Sequence, residues 1–190
     1  MADDKPVALF GYLGADNIEA VLSDPQLRHS DLPLVGPYSG LQGQRQPNLF
    51  PVKASYDDEV RKILHMTSSL GISRFGLFYG NDTLGKAANR TVEQLLASKR
   101  LPPASRVAYF PYKNIRAAAS AMAEQQPQAV ILAAPTIASA QFVRECQQLM
   151  PGTQFFALSS VNHQTMLEFL GPKQAQGIAV TALTPSPYNP

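Results

Sequence analysis

The sequence contains a single cysteine, no tryptophan and few charged residues, and each shortage excludes a class of protein. Cys146 stands alone among 190 residues, so neither an intrachain disulfide nor a cysteine-based zinc cluster can form. Charged residues make up 16% and the net charge is +2. Lysines and arginines are scattered rather than clustered, which argues against a nucleic-acid surface. No apolar run approaches the roughly 18 residues that a membrane span requires.

Motifs for catalysis and metal binding are also missing. His29, His65 and His163 are far apart, and none has the spacing of metal ligands. A pairing of Ser159 or Ser160 with His163 can be drawn, but no G-x-S-x-G elbow supports it. We therefore predict no enzyme, no cofactor and no metal, and keep an α/β enzyme only as a remote alternative.

One segment approaches a nucleotide-binding loop. Residues 80–88 read GNDTLGKAA, in which Gly80, Gly85 and Lys86 have the spacing of a phosphate loop. Ala87 stands where a hydroxyl must bind magnesium, and Asp82 would repel phosphate. No G-x-G-x-x-G sequence is present either, so the segment does not predict nucleotide binding.

What the sequence does contain is a repeated alternation of short apolar runs and longer periodic stretches. From residue 74 the apolar runs are FGLFYG, RVAYFPY, AVILAAP, TQFFALSS and GIAVTALTP, and helix-like stretches separate them. This alternation predicts βαβ units and a parallel sheet. Parallel sheets bind ligands at the carboxyl ends of their strands. The candidate residues therefore follow the runs: Asn81, Asp82, Tyr112, Pro135, Thr136, Ser159 and Ser160.

The first fifty residues predict a smaller β-α-β unit. Strands are expected within 6–14 and 32–37, and the helix between them has Asp16 or Asn17 as plausible N-cap. A polar, glycine-rich loop and the extended segment 50–55 follow, and then a helix that begins after Ser55. Two parallel strands and one helix leave apolar faces uncovered, so this unit is expected to belong to something larger or to pack on another chain.

The ordered series GYLGA, PLVGPYSG, FPVKASYDDE, RFGLFYGNDTLGK, AVILAAP, QFFALSS and LGPKQAQGIAVT resembles the type I periplasmic binding proteins. Within them it is similar to the branched-chain amino-acid (leucine, isoleucine, valine) binding branch, which delivers solutes to ABC transporters. The resemblance rests on the order of the series, since no single motif is specific.

The resemblance implies an α/β fold. It would be a three-layer parallel sheet of flavodoxin-like order with helices on both faces, plus a partial first lobe. We assign 1–46 to the partial first lobe, 47–185 to the second lobe and 186–190 to a tail. On this interpretation the chain lacks the segment that completes the first lobe, and it carries no signal peptide. A deliberately compact relative is the alternative.

The resemblance also assigns ligand contacts. In the family, two turns of the first lobe grip the ligand's carboxylate, and these match Gly14-Ala15-Asp16 and Tyr38-Ser39-Gly40. Glycine turns and helix N-termini do bind anions through backbone N–H groups. The same glycines are equally explained by tight turns.

In the second lobe the sequence departs from the family at three contacts. Leu84 and Pro135 replace aromatic residues, with Thr136 beside Pro135, and Ser159 replaces the acid that pairs with an α-amino group. A buried ammonium without its partner is unfavourable by several kcal/mol. The departures therefore favour an organic or aromatic acid, while an amino acid stays possible if Asp16, Asp57 or Asp82 takes the cationic end.

Several candidates have competing structural interpretations. Asp82 fits the N-cap of a helix from Thr83, and Tyr56 fits either a ligand contact or an aromatic at a helix start. Tyr79 and Tyr112 are strand-end aromatics that equally fit a packing role.

The predicted function is solute binding for an ABC-type uptake system, by hinge closure of two lobes on a small amino acid or carboxylate. A ligand-sensing domain of a receptor or regulator is the alternative, because both need only a cleft that closes. The resemblance implies a membrane permease as partner and a periplasmic or extracytoplasmic location. The exposed strand edges of the N-terminal unit predict a homodimer.

Overall fold

The computed structural model describes residues 6–28, 30–40, 48–111 and 113–182. The chain divides into two compact units, Met1–Tyr56 and Asp57–Pro190. Tyr112 and the tail at 186–190 lie outside the described residues. In the described part, no helix is both long and apolar enough to cross a bilayer.

The first unit is a small parallel sheet with two helices. Its strands are β1 (Leu9–Phe10), β2 (Leu34–Val35) and β3 (Leu49–Phe50), in the order β1-β2-β3. Between β1 and β2 lie α1 (Ala15–Ser23) and α2 (Pro25–Arg28).

The third strand changes the expected organisation of this unit. The sequence predicted two strands before a boundary at residue 46, but Leu49 pairs with Leu34 and Phe50 pairs with Val35 in parallel register. The segment after residue 46 is therefore tied to the first unit by backbone hydrogen bonds, such as the one from Gly36 N–H to the Phe50 carbonyl at 3.0 Å. The lobe limits assigned from the resemblance stay a prediction.

The second unit contains a five-stranded parallel sheet, as predicted. Its strands are β4 (Phe75–Gly80), β5 (Ser105–Tyr109), β6 (Ala129–Ala133), β7 (Gln154–Ala157) and β8 (Ile178–Val180), in the order β5-β4-β6-β7-β8. Its helices are α3 (Tyr56–Ser69), α4 (Thr83–Ser98), α5 (Ile115–Glu124), α6 (Thr136–Leu149) and α7 (His163–Ala175). The flavodoxin-like strand order and the layered α/β fold are confirmed.

Apolar side chains fill both faces of the large sheet because all its central strands are buried. On one face, Phe78 of β4 stacks on Phe142 of α6, with ring centroids 4.0 Å apart and planes 8° apart. Residues of α5 and α7 join the same cluster. Successive side chains of a strand point to opposite faces of the sheet, so Leu77 and Ile131 point to the second face. On that face α4 packs against β4 and β6. Helices thus cover both faces.

Candidate functional site

The carboxyl ends of β1 and β2 bring the two predicted first-lobe turns together. Leu13 and Tyr38 form a parallel bridge. The N–H of Tyr38 donates to the Tyr12 carbonyl at 2.8 Å, and the N–H of Gly14 donates to the Tyr38 carbonyl at 3.5 Å. Segments 14–16 and 38–40 therefore lie side by side at one sheet edge.

The first turn leads directly into α1. The N-cap is Gly14, with φ 85° and ψ 146°, rather than Asp16 or Asn17, and no described side chain caps the helix. The Asn17 amide instead donates to the Leu13 carbonyl at 2.9 Å. The prediction of a polar N-cap was wrong because the chain turns into the helix through a left-handed glycine, which places Asn17 one turn too late. The helix therefore begins at a glycine that has no side chain to cap it.

The second turn combines an exposed tyrosine with a buried serine and glycine. Tyr38 is 60% exposed, whereas Ser39 is 2% exposed. A Cβ on Gly40 would come within 2.7 Å of the Tyr56 ring, and the N–H of Tyr56 donates to the Gly40 carbonyl at 2.9 Å. Tyr56 is itself only 5% exposed, so its buried ring packs against Gly40 of this turn.

Lys53 is a residue of this edge that the sequence analysis did not single out. Its Nζ lies 5.5 Å from the ring centroid of Tyr38 and 5.0 Å from that of Tyr56, within the range of cation–π attraction. The two rings therefore position the Lys53 ammonium group beside the Ser39-Gly40 turn. The signal in the sequence was faint, because Lys53 is one cation in an extended segment and nothing local marks its partners.

In the second unit, the strand order reverses between β4 and β6, and the residues after these strands flank that switch point. The Asp82 side chain accepts a hydrogen bond from the Gly85 N–H at 2.7 Å and is the N-cap of α4. The helix-capping interpretation of Asp82 is confirmed, so this carboxylate is engaged in structure. Leu84 is half-buried in the first turn of the same helix.

The apparent phosphate loop is a tight strand-to-helix junction. A Cβ on Gly85 would lie 1.9 Å from the Gly80 carbonyl oxygen, so only glycine allows α4 to approach β4 so closely. The Asp82 carboxylate also covers Gly80, at 2.7 Å from the position that a Cβ would take. Packing accounts for both glycines without a phosphate.

Beyond β6, Pro135 is exposed at the N-cap of α6 and Thr136 is the first helical residue. The Thr136 hydroxyl accepts from the Asn162 N–H at 3.0 Å. Asn162 is in turn the N-cap of α7, with its side chain accepting from the Thr165 N–H at 2.9 Å. Thr136 thus ties the turns after β6 and β7 together.

A buried acid lies against the turn after β7. Glu59, on α3, is 5% exposed. Its carboxylate accepts from the Ser159 N–H at 2.7 Å and from the Ser159 hydroxyl at 2.6 Å. It also accepts from the hydroxyl of Thr181, directly after β8. Glu59 gives no functional signal in the sequence, because an acid near a helix start is expected from the helix dipole alone.

The structure also bears on the Ser159–His163 pairing, on Tyr79 and on metal binding. The Ser159 hydroxyl donates to Glu59, so its proton is directed to this carboxylate and not to His163. Tyr79 is half-buried at the end of β4. Within the described residues, no group of three His, Cys, Asp or Glu side chains could hold a metal ion.

Cys146 is fully buried in α6. Burial, with a smaller contribution from the charge of Glu145, raises the pKa of its thiol to about 12. Because the thiolate is the reactive form, the buried, neutral thiol of Cys146 is unreactive and serves as part of the core.

The sequence matches the periplasmic binding protein family across residues 1–190. The chain belongs to the periplasmic binding protein family. No significant relative was found among curated proteins.

Solved structures of other periplasmic binding proteins have the same fold. A substrate-binding periplasmic protein from Ralstonia solanacearum is 31% identical with a TM-score of 0.82, and the match covers 98% of this chain and 53% of that protein. A leucine-binding protein, LivK, from Thermotoga maritima is 15% identical with a TM-score of 0.74, covering 90% and 49%. A fatty acid ABC transporter substrate-binding protein from Thermomonospora curvata is 18% identical with a TM-score of 0.69, covering 90% and 44%.

The chain therefore spans about half the length of these relatives. The last two matches establish the fold alone, and the two proteins are named for different ligands, leucine for one and a fatty acid for the other. The family resemblance predicted from the sequence is confirmed.

Proposed function

We propose that this chain is the ligand-binding part of an extracytoplasmic substrate-binding protein for ABC-type uptake, and that it binds a small carboxylate, either an amino acid or an organic or aromatic acid. Family membership supports the transport role. The observation that carries the carboxylate is Lys53, held between Tyr38 and Tyr56 beside the Ser39-Gly40 turn.

The physical argument for an anion at the first sheet edge has two parts. Lys53 supplies a positive charge, and two aromatic rings restrict where its ammonium group can go. The start of α1 at its glycine turn, next to the same segment, supplies backbone N–H groups and the positive end of a helix dipole. A carboxylate satisfies both, whereas an uncharged sugar would gain little from the lysine.

Binding of this kind involves no covalent step, so we propose no enzymatic activity. The proposed partner is a membrane permease, and the proposed location is the periplasm or another extracytoplasmic compartment. The ligand-sensing alternative uses the same residues. Uptake of a labelled ligand by membrane vesicles that contain the permease, dependent on the added protein, would distinguish transport from sensing.

The test is a thermal-shift screen of the chain against four acids: leucine, 4-methylpentanoate, phenylalanine and 3-phenylpropanoate. A ligand at roughly 100 times its Kd stabilises the native state by about 2.7 kcal/mol, so at least one acid should raise the Tm. The Lys53→Met variant should lose most of that shift, while Lys62→Met, at an exposed position of α3, should keep it. No shift with any acid at millimolar concentration would overturn the proposal.

A further inference from the structure

A groove opens at the amino ends of β4, β6 and β7, at the end of the large sheet opposite to the turns considered above. Its volume is about 470 Å³, within the range of small-molecule sites. We infer that this groove binds a small organic carboxylate, with the Arg74 guanidinium and the Gln128 side-chain amide as donors. The inference is independent of the proposed function, because all residues that line the groove belong to the second unit.

The strand register places three polar side chains in one row at this end of the sheet. Strands β4, β6 and β7 pair in parallel, and the residues directly before their paired positions are Arg74, Gln128 and Thr153. Gln128 and Thr153 each lie two residues before a member of the α6 cluster, Val130 and Phe155. By the alternation of side chains along a strand, the row therefore lies on the face that α5 and α6 cover.

Hydrogen bonds fix the orientation of the Gln128 amide. Its Oε1 accepts from the backbone N–H of Ser73 at 3.0 Å and from that of Arg74 at 3.1 Å. A backbone N–H can only donate, so the amide oxygen faces these two groups and the NH₂ group is turned away from them. Among the described residues nothing accepts a hydrogen bond from this NH₂ group. Gln128 lines the groove, so the NH₂ hydrogens are the donors that it offers there.

The Arg74 guanidinium is held beside the same row. Its Nε donates to the Gln126 carbonyl at 3.2 Å, just beyond the end of α5. An arginine has five N–H donors, so those of its two terminal nitrogens remain. In the described part of the chain no acid forms an ion pair with Arg74. A planar guanidinium with unused donors matches the geometry of a carboxylate, which it can bind through two parallel hydrogen bonds.

The carbonyl groups around the groove, in contrast, already have donors. Thr153 donates its N–H to the Met150 carbonyl at 3.1 Å and its hydroxyl to the Pro127 carbonyl at 2.9 Å. The Gln128 carbonyl accepts from the Gln154 N–H at 3.0 Å. The carboxyl ends of α5 and α6 disfavour an anion through their dipoles, and these protein donors weaken that effect. What the groove leaves unused is donors, so it selects a ligand that accepts.

Apolar side chains distinguish an organic acid from an inorganic anion. Ile72, Leu149 and Met150 also line the groove, and Leu149 is 49% exposed at the end of α6. A phosphate or sulfate would leave these side chains in water. A carboxylate with a short aliphatic body would cover them, and burial of apolar surface adds to the affinity. The mixed lining therefore favours a short aliphatic acid.

Two substitutions test the groove. In Gln128→Glu, which is nearly isosteric, one carboxylate oxygen can still accept from the two backbone N–H groups, while the other replaces the NH₂ donor and adds a negative charge. Arg74→Met removes the guanidinium and keeps an unbranched side chain. Arg90→Met, at an exposed position of α4, is the matched control. Lys53→Met controls for the anion contact proposed in the first unit.

The measurement is an NMR titration of the ¹⁵N-labelled chain with 4-methylpentanoate and with 4-methylpentan-1-ol, an uncharged probe of the same skeleton. The backbone N–H of Gly152, which lines the groove, should shift to saturation with the acid. The alcohol should bind about tenfold more weakly or less, since hydrogen bonds to charged groups have that magnitude. Arg74→Met and Gln128→Glu should each weaken binding of the acid by about tenfold or more, whereas Arg90→Met and Lys53→Met should retain the wild-type affinity.

Each outcome supports or overturns the inference. No saturable shift of Gly152 with millimolar acid refutes it, as does equal affinity for the acid and the alcohol. An Arg74→Met chain with wild-type affinity refutes it as well. If circular dichroism shows that Gln128→Glu is unfolded, the Arg74→Met result decides. Loss of the Gly152 shift in Lys53→Met would show that the groove is not an independent site. The proposed function is judged separately, by binding that Lys53→Met weakens and Arg74→Met leaves intact.

Discussion

Removal of the Asp82 side chain should destabilise the second unit without affecting ligand binding. The carboxylate accepts from the Gly85 N–H at 2.7 Å and lies at the positive end of the α4 dipole. Loss of an N-cap costs about 0.5–2 kcal/mol, and loss of a favourable charge at a helix start costs about 0.3–1 kcal/mol. Asp82→Ala should therefore lower the free energy of unfolding by about 1–3 kcal/mol, or the Tm by roughly 2–12 °C. Asp82→Asn should retain most of the stability, because asparagine caps helices about as well.

The neighbouring glycine provides a second, sharper test of the same geometry. A Cβ on Gly80 would lie 2.7 Å from one Asp82 carboxylate oxygen and 3.0 Å from the other, so Gly80→Ala should push the carboxylate out of its capping position. In an Asp82→Ala background that clash is absent. The double variant should thus be about 1 kcal/mol more stable than the sum of the two single effects implies.

Urea denaturation of the four chains measures this coupling directly. Substitutions at independent sites change the free energy of unfolding additively, to within about 0.3–0.5 kcal/mol. Additive effects of Gly80→Ala and Asp82→Ala would therefore contradict the capping geometry. A weaker ligand affinity in Asp82→Ala, with unchanged stability, would contradict the structural role and return Asp82 to the list of ligand contacts.

Three further predictions concern packing, protonation and assembly. Gly85→Ala should destabilise by more than about 3 kcal/mol in urea denaturation, because its Cβ would lie 1.9 Å from a β4 carbonyl oxygen, whereas Gly152→Ala, with nothing within 4 Å, should change little. Cys146 should resist iodoacetamide at pH 8 in the native chain and react once the chain is unfolded. Folding raises the pKa of this thiol to about 12. The neutral thiol should therefore stabilise the fold below pH ~9, and this contribution should be lost as the pH rises toward 12. The chain should self-associate through the edge strands β1 and β3, where Phe10 and Phe50 are 79% and 53% exposed; light scattering should show a dimer that Phe10→Ser weakens, and a monomer at high concentration would disprove it.

The sequence predicted the large sheet well because local patterns encode it. Apolar runs of strand length and periodic helices alternate without ambiguity from Arg74 onward, and the resemblance supplied the strand order. A helix start with a polar side chain was also predictable, as at Asp82. The start of α1 was not, because its capping residue is a glycine in a left-handed conformation and the nearby Asp16 and Asn17 offered a more familiar pattern.

The contacts of the candidate residues were harder to predict because they join residues that are distant in sequence. Glu59 meets Ser159 across 100 residues and Thr181 across 122, and no local spacing reports such a meeting. Lys53 presents the same difficulty over shorter separations. Its Nζ lies near the rings of Tyr38 and Tyr56, and neither residue is adjacent to it in sequence. For Tyr56 the sequence left a ligand contact and a helix-start aromatic open, and it did not indicate that the ring is buried against Gly40.

The bond from Thr181 to Glu59 has a consequence for how the chain matures during synthesis. The acid of α3 emerges from the ribosome long before the strand that supplies one of its donors, and until that strand arrives the carboxylate lacks a partner that it has in the finished fold. Contacts of such separation form late, and incomplete sheets expose adhesive edges. We expect nascent chains that stop before β8 to stay protease-sensitive, with resistance appearing once Thr181 has cleared the exit tunnel.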